Sequence, residues 1–165
     1  MLVDEVYLPF DHPEDFTPIV DLYDKGISTN SLSKSYSVPG VRIGWTATNA
    51  ELADIFRKFR DYTMICGGVF NDQLATYVLR HRDQVLARNQ KLIFGNLAIY
   101  KDWIDHEDQA SVVMQRAVST SFPKLDVPVD IHIFCENLLK DEGGLLVPGD
   151  AFDTPGHAPV GLLCP

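Results

Sequence analysis

Basic residues, cysteines and long apolar runs are all scarce in this chain. Fourteen lysines and arginines stand against 23 acids, a net charge of −9 over 165 residues. No Lys/Arg cluster forms the stripe that a nucleic-acid backbone requires, so nucleic acid is not an expected partner. The three cysteines, Cys66, Cys135 and Cys164, are odd in number and widely spaced. That fits neither a disulfide framework nor zinc-ligand pairs, and reduced thiols in the cytoplasm are the expectation. The opening MLVDEVYLPFDHPED has no basic start and no apolar core of a signal peptide, and no later run reaches membrane-spanning length. His12, His81, His106 and His132 are scattered without H-x-x-x-H or H-E-x-x-H spacing, so no metal site is expected. G-x-x-x-x-G-K-[ST], G-x-G-x-x-G and internal repeats are absent too.

What is present is a 45% hydrophobic chain long enough to bury a core, with the length of one domain or one and a fraction. LVDEVYLPF reads as a buried strand that ends at Pro9, GISTNSLSK as a weaker strand ending at Lys34, and VRIGWTAT as a third after a Pro39-Gly40 turn. Asn49 is placed to cap a helix over AELADIFRKFRDY, with Leu52, Ile55, Phe56 and Phe59 on one face. Gly67-Gly68 breaks that helix. Helical spacing resumes through QLATYVLRHRDQVLARNQKLIFGNLAIYKDWI, enough for two helices or one bent helix connecting two packing units. Beyond it, SVVMQRAVSTSFPKL reads as strand, VDIHIFCENLLKDEG as helix, GLLVPGDAF as strand then turn, and HAPVGLLC as a last short strand. Such a tail suits a small α+β domain.

Two groups of residues carry chemistry. Asp4 and Tyr7 lie three apart in DEVY, and an acid in an apolar run is costly to bury without a cation or hydrogen-bond partner. By itself DEVY is an acid at a strand end, solvated or capping a turn. Lys34 sits among Ser31, Ser33 and Ser35 in SLSKSYSVPGVRIGW, with Arg42 eight residues on. By itself Lys34 is a solvated loop lysine. Near a second cation it becomes a Schiff-base nucleophile, and a guanidinium fork with hydroxyls suits a phosphate. A ligand with both an aldehyde and a phosphate would use the whole stretch.

DEVY followed by SLSKSYSVPGVRIGW resembles the core of the pyridoxal-phosphate-dependent aminotransferases of class I and II, fold type I. LLVPGDAFDTPGHAPVGLLC is similar to that family's C-terminal segment. The resemblance implies an α/β fold: the C-terminal part of a large cofactor-binding domain with a mixed, mostly parallel sheet (1–80), a connecting helix (81–105) and a small α+β domain (106–165). It implies pyridoxal 5′-phosphate as cofactor, with Lys34 as the Schiff-base and proton-moving residue, Asp4 on the pyridine nitrogen, Tyr7 on the 3-oxygen, and Ser31, Ser33 and Arg42 on the phosphate. The implied reaction moves an amino group from an amino acid to a 2-oxo acid, in a cytoplasmic enzyme that is a homodimer at full length.

Two features depart from the family pattern. Only three residues precede Asp4, so the upstream strands that complete the sheet are expected to be missing, and apolar edges should make the chain poorly soluble or self-associating. Pro159 stands where an arginine that grips the substrate carboxylate is expected, and His157 beside it reads as a surface-turn histidine. The alternatives are a lyase or cyclising amino-acid enzyme using the same cofactor, or a non-catalytic aminotransferase-like remnant.

Overall fold

The computed structural model describes residues 1–10, 12–115 and 118–163. The chain separates into two compact units, Met1–Gln90 and Lys91–Pro165. In the first, β1 (Leu2–Asp4) pairs in parallel with β2 (Ile27–Ser31), and β2 pairs antiparallel with β3 (Gly44–Thr48), giving the sheet order β1-β2-β3. The register sets Asp4 beside Thr29 and Ser31 beside Gly44. Both parallel strands therefore finish together, at the end of the sheet where α/β folds place ligands.

Both strands are shorter than their apolar runs. The last rung of β1 runs from Glu5 N–H to the Thr29 carbonyl at 2.8 Å. Beyond it the ladder gives way to a side chain: Ser35 Oγ accepts the Leu8 N–H at 2.7 Å and donates to the Val6 carbonyl at 3.1 Å. The strand expected to run to Pro9 thus stops at Asp4, because its next polar groups are satisfied by a hydroxyl instead of a strand. β2 stops at Ser31, short of Lys34, because the Leu32 carbonyl is taken by Val38 N–H at 3.0 Å instead of by β3.

Glu5, the second acid of DEVY, is buried. Its carboxylate accepts the N–H of Ile19, first residue of α1 (Ile19–Leu22), at 2.8 Å, which gives a desolvated acid the donor it needs. Leu32, Tyr36 and Ala75 form the centre of the core, with Leu8, Val38, Val41, Ile43, Val78, Val85 and Leu86 packed around them.

Four longer helices follow: α2 (Ala50–Arg60), α3 (Val69–Arg80), α4 (Arg82–His106) and α5 (Ile131–Glu142). Asn49 caps α2 as its sequence position predicts: Oδ1 accepts the Leu52 N–H at 2.9 Å, and Nδ2 donates to the Asp24 carbonyl at 2.9 Å. The long helical stretch resolves into α3 and α4, separated at His81. The apolar stripe of α2 faces no core, since none of its residues is buried and Phe59 is 63% exposed. Met1, Leu2, Tyr62, Ile65, Val69 and Phe70 are exposed as well.

In the second unit β4 (Ala110–Ser111) pairs antiparallel with β6 (Lys124–Leu125), and β5 (Thr120–Ser121) with β7 (Val160–Gly161). The Ser121 hydroxyl donates to the Tyr100 phenol oxygen at 3.0 Å, and burial raises the phenol pKa. α5 starts on Asp130, whose carboxylate accepts the His132 N–H at 2.9 Å, and ends at Gly143 with φ 71°. The strand expected over GLLV is absent. Gly144 N–H is spent on the Leu138 carbonyl, and Leu145 and Val147 are exposed with no strand partner. Cys66 is exposed and Cys135 buried, both as free thiols, and Cys164 lies outside the described residues. Among the described residues no helix is long and apolar enough to cross a membrane, and no cluster of His, Cys, Asp and Glu could hold a metal.

The Asn49→Ala variant should lose about 1 kcal/mol in urea unfolding, the usual worth of a helix cap. By size-exclusion chromatography with light scattering, the 165-residue chain should run as dimers or larger species. A monodisperse monomer that unfolds cooperatively would contradict that expectation.

Candidate functional site

The site is built where β1 and β2 end. Asp4, Thr29 and Ser31 leave the sheet on one face, because paired residues of a parallel ladder point the same way and Ser31 follows Thr29 by two. Asp4 is exposed, and its Oδ1 accepts the Val6 N–H at 3.1 Å. The Ser31 hydroxyl accepts the Ser33 N–H at 3.2 Å, which bends the chain away from the sheet.

Lys34 rides on a closed loop. Leu32 and Tyr36 on either side of it are buried, the Leu32 carbonyl accepts Val38 N–H at 3.0 Å, and the Lys34 carbonyl accepts Ser37 N–H at 2.8 Å. The Lys34 side chain points outward and is exposed. Its Nζ stands 5.7 Å from the centroid of the Tyr7 ring, within cation–π range, and no acid partners it among the described residues. Tyr7 itself is 40% exposed.

Arg42 is reached through the β2–β3 pairing. The Leu32 N–H donates to the Ile43 carbonyl at 3.1 Å, one bond past the Ser31–Gly44 pair, so the residue after Arg42 meets the residue after Ser31. Arg42 has φ 55°, a left-handed conformation unusual for a residue with a side chain, and its guanidinium donates to the Pro39 carbonyl at 2.8 Å. The backbone thus brings Ile43, next to Arg42, to Leu32 between the two serines, while the Arg42 side chain is turned to Pro39.

The donor set fits a ligand with an aldehyde, a basic ring nitrogen and a phosphate. It offers an unpaired primary amine, a carboxylate with one oxygen bound by a single backbone N–H, two hydroxyls and a guanidinium. Sequence reasoning passed over the groups beneath it. Ser35 is only 2% exposed and faces away from the site, and Asn89 of α4, 0% exposed, donates from Nδ2 to the Ser35 carbonyl at 2.8 Å. Alternation along Ser33, Lys34 and Ser35 could have signalled an inward serine; nothing in the sequence marks Asn89.

In the second unit Pro159 is half-buried, between Ala158 at 0% exposure and β7. His157 is more than a turn histidine: its ring stacks on Phe122 at 5.3 Å, its Nδ1 lies 3.0 Å from the Pro155 carbonyl, and its backbone bridges to Lys124.

The family model for aminotransferase class I and II matches residues 1–157. The chain belongs to that family. Of solved structures, a PLP-dependent aminotransferase from Streptococcus suis superimposes with TM-score 0.95 at 47% identity, covering 99% of this chain and 43% of that one. Curated proteins that resemble it include capreomycidine synthase of Streptomyces vinaceus, 29% identical over 96% of this chain and 41% of that protein. Aspartate aminotransferase of Thermotoga maritima is 26% identical over 94% of this chain and 41% of its own length. The chain thus spans about two fifths of the length of these curated relatives. Its α/β architecture is that of fold type I.

Gly44 is where the two antiparallel strands come closest. A Cβ there would lie 2.8 Å from the Asn30 carbonyl oxygen and 3.2 Å from Ser31 Cβ. Gly44→Ala should therefore destabilise the chain by about 1–3 kcal/mol, as overpacking does, by pushing Ser31 off its register. An unchanged urea midpoint would show that the strand ends are looser than their spacing implies.

Proposed function

We propose that this chain carries the lysine-bearing part of a pyridoxal-phosphate-dependent aminotransferase acting on an amino acid and a 2-oxo acid. One observation supports the reading beyond family membership. Lys34 Nζ, with no acid partner among the described residues, stands 5.7 Å from the centroid of the Tyr7 ring, and both residues follow the ends of the parallel strands β1 and β2.

Bound pyridoxal phosphate supplies an electron sink for the charge left when the substrate α-carbon gives up its proton. Lys34 Nζ would hold the aldehyde end of the cofactor, and its amine would take and return the proton at the substrate α-carbon. Asp4 holds the proton on the ring nitrogen through a charge-assisted hydrogen bond. Tyr7 orients the ring through its hydroxyl. Ser31, Ser33 and Arg42 would hold the phosphate, and Arg42 would have to give up its bond to the Pro39 carbonyl to do so.

The partition into large domain, connecting helix and small domain at 1–80, 81–105 and 106–165 belongs to the same proposal, as do a homodimer and a cytoplasmic location. The family resemblance supports the first two. The two free thiols among the described residues suit the third.

A second reading keeps the cofactor and changes the product. Pro159 supplies no charge where the family grips a carboxylate, and the relatives of this chain include a synthase as well as aminotransferases. That favours keeping a cyclising or lyase outcome beside transamination.

Incubation with pyridoxal phosphate, borohydride reduction and peptide mapping should place the label on Lys34, and Lys34→Ala should abolish it. Labelling spread over other lysines, or unchanged in the variant, would refute the assignment. Pyridoxamine phosphate released upon adding amino acids then marks transamination, and its absence with product formed marks the second reading.

A further inference from the structure

The exposed face of Lys34 is only half of its setting; the other half is the polar contact directly behind it. We propose that Ser35 and Asn89 are positioning residues that hold the Lys34 loop against the segment carrying Tyr7, and so set the spacing between the amine and the phenol ring. The inference rests on the cofactor reading for its importance but on the chain's own contacts for its geometry.

Ser35 Oγ is held between two backbone groups that flank Tyr7 on either side. It accepts from Leu8 N–H at 2.7 Å and donates to the Val6 carbonyl at 3.1 Å. The residue next to the lysine is therefore fastened to both neighbours of the tyrosine. These bonds begin where the β1–β2 ladder ends, so without them no strand pairing fixes the approach of the two segments.

Asn89 completes the clasp from α4. Its Nδ2 donates to the Ser35 carbonyl at 2.8 Å, and its Oδ1 accepts from Arg88 Nη1 at 3.0 Å. Asn89 is 0% exposed and Ser35 2%, so water cannot readily replace either bond. A fully buried amide is tolerated only when it is hydrogen-bonded. Its bond goes to the one carbonyl that lies immediately after Lys34.

A purely structural role and a positioning role make different predictions. The test uses the whole chain after reductive methylation with ¹³C-formaldehyde, which puts two labelled methyls on each lysine amine. The Lys34 signal is identified by its absence in Lys34→Arg. The unsubstituted chain should show a through-space cross-peak between the Lys34 methyls and the Tyr7 ring. Ser35→Ala and Asn89→Leu should lose it, and Ser35→Thr, which keeps the hydroxyl, should restore it. Val78→Ala, a core substitution on α3 outside the clasp, should retain the cross-peak despite its own loss of stability. Retention of the full cross-peak in both Ser35→Ala and Asn89→Leu overturns the proposal, and so does its loss in Val78→Ala.

A second arm keeps this apart from the cofactor reading. Pyridoxal phosphate labelling of Lys34 should fall by about tenfold in Ser35→Ala, the equilibrium equivalent of one ordinary hydrogen bond. If the unsubstituted chain fails to label at Lys34, the cofactor reading falls while the cross-peak still decides the clasp.

Discussion

The site depends on how the β1–β2 ladder is brought to an end. A parallel pair aligns the ends of its strands but leaves the residues beyond them without backbone partners. Here the first of these, Val6 and Leu8, are taken up by one serine hydroxyl, and that serine adjoins the exposed lysine. Ladder, hydroxyl and core then form a continuous support: Glu5 N–H on Thr29, Ser35 on Val6 and Leu8, and Leu32 and Tyr36 buried on either side of Lys34. The amine can stand outward because its neighbours are anchored inward.

The same chain leaves a large apolar surface uncovered. α2 has a well-formed apolar stripe and a good N-cap, yet none of its residues is buried, and the loop into α3 exposes Tyr62, Ile65, Val69 and Phe70. Amphipathicity predicts a buried face, and burial is supplied by tertiary neighbours. The solved aminotransferase that superimposes with TM-score 0.95 is more than twice as long, with 43% of it covered by this chain. The helix is therefore well formed locally while its apolar stripe meets no core among the described residues.

Chemistry is unevenly distributed between the units. The first holds an exposed lysine amine, a carboxylate, hydroxyls and a guanidinium close to the ends of β1 and β2. In the second, Pro159 precedes β7 with neither charge nor N–H to offer, while its neighbour His157 is committed to stacking on Phe122. Pro159 can therefore make no arginine-type clamp at its position.

Much of this was legible in the order of residues. Alternation and turn residues located all three strands of the first sheet, Asn49 marked the start of α2, and the DEVY and SLSKSYSVPGVRIGW segments carried the family's pattern, because local backbone preference and a reactive residue's neighbours are written contiguously. The ends of β1 and β2, the missing strand at GLLV, the exposure of the α2 stripe and the contact between Asn89 and Ser35 were not. The end of β1 and the Asn89 contact depend on partners distant in sequence: a hydroxyl 29 residues from Val6, a buried amide 54 residues from Ser35. Sequence by itself determined which groups are available to bind and react. Tertiary structure alone decided which backbone groups they satisfy and which way they face, because a hydrogen bond is set by distance in space, and spacing along the chain says nothing of that until the core has closed.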